Sequence, residues 1–123
     1  MKKIIIDTNV LMAISEFSLD IFSAIDEFCD FTYSLYVLEG TKHELEKIKT
    51  EQRGKFKMAA SLALQILKVK GVDTIPSTGH IDDRLVEFSQ KGYLVLTQDV
   101  GLKKKLRKPY LTIRQRKKIV LVD

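Results

Sequence analysis

Hydrophobic positions along this chain follow two rhythms that alternate from one end to the other. Ile4-Ile5-Ile6 is an unbroken β-branched run, and Val10, Leu11 and Ile14 then recur at helical spacing. Ile21, Phe22, Ile25 and Phe28 outline a second helix, while Phe31 to Val37, rich in aromatic and β-branched residues, reads as the second strand. A helix is expected over Leu38 to Lys49 with Leu45 and Ile48 on its apolar side, followed by a polar loop from Thr50 to Lys55. Phe56, Ala59, Ala60, Ala63, Leu64 and Leu67 trace a long amphipathic helix that Gly71 is placed to end. Val72 to Ile75 is a third strand, Pro76-Ser77-Thr78-Gly79 a loop, and Ile81 to Gln90 a helix that Gly92 breaks. Tyr93 to Thr97 is a fourth strand, Val100 to Leu106 a basic helix, Tyr110 to Ile113 a fifth strand and Lys118 to Val122 a last extended segment.

Three consecutive isoleucines leave no face for water, so the first strand belongs at the centre of a parallel sheet with helices on both sides. Strands alternating with helices predict right-handed crossovers and an α/β fold, a three-layer Rossmann-like sandwich around a mostly parallel sheet. At 123 residues a single domain, 1–123, with one core is expected. The 45% hydrophobic content and only two prolines exclude a disordered chain. No apolar run reaches bilayer length, and Lys2-Lys3 lead into a segment too short for a signal peptide, so the expected location is cytoplasmic with no membrane partner. Cys29, the single cysteine, cannot form an internal disulfide and reads as inert packing beside Phe28 and Phe31.

Charge changes the picture at one end. Up to Asp99 there are 12 Lys/Arg against 15 Asp/Glu, whereas from Val100 onward nine face one, in the cluster Lys103, Lys104, Lys105, Arg107, Lys108, Arg114, Arg116, Lys117 and Lys118. A basic segment over about 100–123 fits either a polyanion surface or a solvated face.

The candidate chemistry lies in the acids. Asp7 ends the first strand, where open α/β sheets bind ligands, and it is equally placed to cap the helix that follows. Asp99 repeats that position after the fourth strand, and Asp82-Asp83 fall in the first turn of a helix, whose dipole also favours acids. No glycine-rich turn follows the first strand and no G-x-x-x-x-G-K-[ST] occurs, which speaks against nucleotide binding. Asn9, where an aspartyl phosphotransferase would want a second carboxylate, speaks against that chemistry. His43 and His80 lack the spacing of a zinc pair and are read as incidental. Carboxylates gathered at one sheet edge need a cation, and oxygen-only ligands suit Mg²⁺ or Mn²⁺. An ion so held can activate water against a phosphodiester.

Four blocks then resemble PIN-domain ribonucleases in order and spacing over nearly the whole chain. They are Ile4-Ile5-Ile6-Asp7-Thr8-Asn9, Glu44-Leu45-Glu46-Lys47-Ile48, Ile81-Asp82-Asp83-Arg84-Leu85-Val86, and Leu96-Thr97-Gln98-Asp99 with the lysines behind it. The resemblance implies a metal-dependent endoribonuclease acting on single-stranded RNA, with Asp7, Glu44, Asp82 and Asp99 as catalytic residues that hold Mg²⁺ or Mn²⁺. Asp83 is the reserve for Asp82, and Glu46 the rival of Glu44. Asn9 and Thr97 would support the site, and Lys103, Lys104, Lys105, Arg107, Arg114 and Arg116 would hold the RNA backbone. The branch resembled contains VapC-type toxins and nucleases of small-subunit rRNA maturation, so an antitoxin protein or ribosome-assembly factors are the expected partners. The resemblance also implies a homodimer through helices near the amino terminus, for which Phe17, Leu19, Phe22 and Phe28 could supply an apolar patch, with packing of that stripe on the sheet as the alternative. The alternative is a PIN domain of weak or no activity, acting as an RNA-binding or protein-binding adaptor.

Overall fold

The computed structural model describes residues 1–123 as twelve elements: β1 (Lys2–Ile6), α1 (Thr8–Glu16), α2 (Ile21–Phe28), β2 (Tyr33–Leu38), α3 (Glu39–Glu51), α4 (Gly54–Val69), β3 (Asp73–Ile75), α5 (Ile81–Gln90), β4 (Leu94–Leu96), α6 (Val100–Lys103), β5 (Tyr110–Arg114) and β6 (Lys118–Val122). The six strands form one sheet in the order β3-β2-β1-β4-β5-β6. Every neighbouring pair is parallel except β5 and β6, which form an antiparallel hairpin. The isoleucine run is central, as its lack of a polar face requires. Ile4, Ile5 and Ile6 are fully buried, and because side chains alternate across a strand they divide between two cores. Ile4 and Ile6 join Val10, Leu11, Ile25, Leu45, Ala60 and Leu67 under α1 to α4, whereas Ile5 joins Leu38, Leu85, Val95 and Leu102 under α5 and α6. The result is three layers.

Local chemistry explains the boundaries. Gly71, at φ +63°, ends α4 in a Schellman arrangement, with Val72 N donating to Leu67 O at 3.1 Å and Gly71 N to Lys68 O at 3.2 Å. The expected basic helix over Val100 to Leu106 is only one turn, Val100–Lys103. The chain there must turn back beside β4 to start β5 parallel to it, with Leu111 level with Leu96. Of the thirteen residues between β4 and β5 only these four are helical, and the rest are turns and irregular chain. The second strand starts at Tyr33 rather than Phe31, because Phe31 turns inward to make an edge-on pair with Phe28, ring centroids 6.5 Å apart.

The apolar set expected to form a dimer face also packs on the core. Leu19 is buried, and Phe17, Phe22 and Phe28 rest against the larger core. Exposed apolar side chains occur instead on α4, at Phe56, Met58, Leu62 and Val69. Cys29 is half-buried against the same core, and burial, then Asp26 and Asp30, push its thiol pKa up and keep it protonated at neutral pH. No single helix is long and apolar enough to cross a membrane.

Candidate active site

The strand order reverses between β1 and β4, and in open α/β sheets the crevice at such a switch, beyond the carboxyl ends of the strands, is where ligands bind. Asp7 leaves β1 into that crevice and Asp99 follows β4. Asp7 is 6% exposed and caps α1, its Oδ1 accepting from Thr8 N at 2.7 Å. Its other oxygen, Oδ2, accepts from the Thr97 hydroxyl at 2.7 Å. The same Thr97 oxygen accepts from Asp99 N at 3.1 Å, so one fully buried hydroxyl ties the two acids together. Asp99 Oδ1 in turn accepts from Leu102 N at 3.0 Å and caps α6. A Cβ at Gly101 would stand 3.3 Å from that oxygen, so the missing side chain leaves it room.

Two further clamps fix the strand ends. Gln98 N donates to Asn9 Oδ1 at 3.3 Å, and Gln98 Oε1 accepts from Thr112 Oγ1 at 2.7 Å and from Ile113 N at 3.0 Å. On the other side of Asp7, the Thr8 hydroxyl lies 3.4 Å from that of fully buried Thr41, which ties α1 to α3. Gln98 and Thr41 were not read from the sequence, because short polar residues at loops and helix starts carry many roles.

Burial pushes the Asp7 carboxyl above its ordinary value of 3.8; the hydrogen bonds from Thr97 and Thr8 pull the other way, and the charges of Asp82 and Asp99 add to the rise. Asp82 and Asp99 therefore sit close enough to repel a charge on Asp7. Asp82 and Asp83 share an open cleft of about 540 Å³ with Glu44, His80 and Lys105. Glu46 faces a different cleft, of about 880 Å³, together with Lys42, His43, Lys49 and Lys68. The structure thus gathers the acids in two groups, Asp7 with Asp99 through Thr97, and Glu44 with Asp82, joined by the repulsion between Asp7 and Asp82. No three of them converge tightly enough to ligate a single ion directly. Like charges without a counter-ion hold one another apart, and two of the carboxylates are already engaged as helix caps. The donor set still fits a small hard cation: all donors are carboxylate oxygens, and Mg²⁺ commonly takes only one or two of them and keeps its waters.

The start of α5, and with it Asp82, is set by a close approach that the sequence did not reveal. Gly40 N donates to Ser77 Oγ at 3.0 Å, and Ser77 N to Glu39 Oε1 at 3.4 Å, which pins the Pro76–Gly79 loop to α3. A Cβ at Gly40 would lie 3.1 Å from Ile81 Cγ1. A Gly40→Val variant is therefore expected to drive Ile81 outward, displace Asp82, and cost about 1–3 kcal/mol by overpacking. A urea midpoint at or above the parent's would refute this.

The basic residues do not form one surface. Leu111 is level with Leu96, so Arg114 stands about 10 Å beyond the end of β4, on the acidic edge. The hairpin tip there is a tight turn with Gln115 and Arg116 both at φ +56°, closed by Lys117 N donating to Arg114 O at 3.2 Å. Arg114, Arg116, Lys117 and Lys118 are exposed, and the Arg116 guanidinium stacks 4.6 Å from the ring centre of Phe17. Lys105 lines the acidic cleft, Lys104 is exposed and Lys103 is half-buried. Arg107 departs from the expected set. It lies at the opposite end of the sheet, with its Nη1 donating to Gln90 O at 3.0 Å, because the link from α6 carries it back to where β5 begins.

A family model described as a PIN-like domain matches residues 4–117. The chain belongs to the PIN-domain family. It is 35% identical over 105 residues to the ribonuclease VapC9 of Archaeoglobus fulgidus, spanning 84% of this chain and 74% of that protein. It is 28% identical to the ribonuclease VapC4 of Methanocaldococcus jannaschii, over 95% of this chain and 94% of the relative. Among solved structures, the PIN domain endonuclease Utp24 superposes with a TM-score of 0.77 at 26% identity, covering 97% of this chain and 90% of its own. A domain of a functionally unknown protein from M. jannaschii shares the fold at TM-score 0.63 and 16% identity, each chain covered completely. The central parallel sheet flanked by helices is that of these PIN neighbours.

Proposed function

We propose that this PIN domain is a divalent-cation-dependent endoribonuclease that hydrolyses phosphodiester bonds of single-stranded RNA. The observation that carries it is the buried Asp7 at the switch point, oriented through both oxygens and crowded by Asp82 and Asp99. Two relatives named as ribonucleases and a structural neighbour named as an endonuclease support the same reading. Asp7, Asp82, Asp99 and Glu44 would hold Mg²⁺ or Mn²⁺, with Asp83 in reserve. Such an ion supplies a positive charge that polarises the phosphodiester and acidifies water. The chain's own residues do the rest. Thr8 N–H and the Thr97 hydroxyl aim Asp7, Asn9 and Thr97 hold the strand ends, and Arg114 and Arg116 with Lys103, Lys104 and Lys105 hold RNA phosphates beside the acids without choosing the sequence.

A VapC-like toxin role calls for an antitoxin protein whose tail covers the acidic cleft, and an rRNA-processing role for ribosome-assembly factors; the likeness to two VapC ribonucleases favours the first. Growth arrest on induction, relieved by a co-expressed antitoxin, separates the two. Because no three acids converge, an adaptor that binds RNA without cutting it is the competing reading. The experiment is cleavage of an end-labelled single-stranded RNA panel with Mg²⁺, Mn²⁺ or chelator, alongside Asp99→Asn. Cutting that needs the metal and disappears in Asp99→Asn is expected. Salt-sensitive binding with no cutting under any condition would leave the adaptor.

A further inference from the structure

The residues that β1 and β4 place at their amino ends form a second charged region, as far from the acids as the sheet allows. A pocket of about 310 Å³ lies there, lined by Lys2 at the start of β1, Lys91 and Tyr93 after α5, and Arg107 and Lys108 before β5. Four cations come from three separate stretches of chain, and no carboxylate lines the pocket. By register Asp123 lies one residue past the pairing of Val122 with Tyr110, level with Pro109. It makes no ion pair, since the only ion pair in the molecule joins Arg84 to Glu87 at 3.3 Å. Lys3 adds a fifth charge, its Nζ 5.2 Å from the ring centre of Tyr93.

Cations at a helix carboxyl end offset the helix dipole, and this accounts for part of the set. Arg107 lies against the last turn of α5, its Nη1 on Gln90 O at 3.0 Å and its own N–H on Ser89 Oγ at 3.1 Å, and Lys91 is the residue that ends that helix. Lys2 and Lys108 belong to other segments, so the dipole does not explain them. The contact with Gln90 uses one donor of Arg107 and leaves the other donors of its fork without a protein acceptor, available to a phosphate.

We infer that this pocket at the amino end of the sheet is a second site for RNA backbone, binding a phosphate-rich segment outside the strand held at the acids. The choice of RNA rests on the nuclease reading above. From Lys2 to Asp7 the strand rises about 17 Å, the length of about five stacked nucleotides at 3.4 Å each. Four stacked nucleotides at the acidic edge fall short of the pocket, whereas a longer strand or an attached stem reaches it. The pocket would therefore favour an RNA that extends beyond the few nucleotides held at the acids.

The test compares a single-stranded tetranucleotide, about 14 Å when stacked, with a hairpin RNA carrying the same four nucleotides as its tail. Binding is measured by anisotropy in chelator, across a salt series, for the parent and for Lys91→Ala/Lys108→Ala. Both side chains are exposed and neither makes a hydrogen bond; Lys91 only rests its ammonium 5.1 Å from the ring centre of Phe88, so the variant is expected to fold, and a thermal melt checks it. Arg107→Gln serves as a second variant. The expected result is about a tenfold or greater loss of hairpin affinity, with the salt slope falling by up to about two, near 0.9 for each phosphate contact removed. Tetranucleotide affinity stays within about twofold. Equal losses on both RNAs, or unchanged hairpin affinity and slope, would overturn the inference. So would loss of inorganic-phosphate binding with hairpin binding intact, which would assign the pocket to a small anion. If neither protein cuts RNA when metal is added but the hairpin-specific loss persists, the nuclease reading fails and the second site stands.

Discussion

Asp7→Asn is expected to lower RNA cleavage by about a thousand-fold or more and, at neutral pH without metal, to make the protein more stable. Both effects have one cause. Asp7 is 6% exposed, and burial together with the charges of Asp82 and Asp99 disfavours its ionised form. Asparagine keeps the shape and the acceptor for Thr8 N–H, and its amide faces a Thr97 hydroxyl that can turn to accept. What it removes is the charge. Several kcal/mol of transition-state stabilisation by a bound cation depend on that charge, and each 1.36 kcal/mol is about tenfold in rate. The gain in stability should lie within about 0.5–2 kcal/mol, the usual size for relieving one functional compromise.

The pH dependence identifies the source. A carboxyl whose pKa is raised in the folded protein holds its proton more tightly there than in the unfolded chain. The parent therefore loses stability as pH rises from the ordinary 3.8 to the raised folded value, and above that the deficit is constant. Asp7→Asn lacks this loss. The two proteins should melt alike well below pH 3.8 and diverge as pH rises toward neutrality. Mg²⁺ or Mn²⁺ should close the gap by stabilising the parent alone. Melting curves that stay parallel at every pH, or equal metal responses, would show that the Asp7 charge is not what the site strains to hold.

How much of this was legible in the sequence depends on the distance over which each feature is decided. The isoleucine run implied a central strand because no other position accepts three apolar side chains on alternating faces. Gly71 implied a helix end because its conformation belongs to glycine. The hairpin was harder, since Lys118 to Val122 reads only as extended until its partner β5 is known, and pairing is a long-range fact. The basic cluster was misleading for the same reason. Arg107 and Arg114 are seven residues apart in sequence, yet β5 runs from one end of the sheet to the other between them, so one charge run becomes two surfaces. Gly40 looked like an ordinary helix residue because the Ile81 it touches is 41 positions away. At the site, the strand-end positions of Asp7 and Asp99 could be read locally, whereas the Thr97 bridge between them requires both strands in register.

That bridge carries the second large effect. Thr97→Val keeps volume and branching but removes a hydroxyl that donates to Asp7 Oδ2 at 2.7 Å and accepts from Asp99 N at 3.1 Å. Thr97 is fully buried, so little water can replace it, and the loss should cost about 1–3 kcal/mol for the groups left unpaired. Its hydrogen bond is also the largest influence holding the Asp7 pKa down against burial. Without it that pKa rises further, and more of the protein carries a protonated Asp7 at a given pH. Cleavage should fall about 10–100-fold, the scale seen when a residue supporting a metal ligand is lost. The acidic limb of the pH–rate profile should move upward, and a higher metal concentration should recover part of the rate by competing with the proton. Thr97→Ser, which keeps the hydroxyl, should restore the pH profile even where it leaves a stability defect from the missing methyl group. A Thr97→Val protein with an unshifted pH profile would mean that Thr97 only packs, and that Asp7 is held by Thr8 and the fold alone.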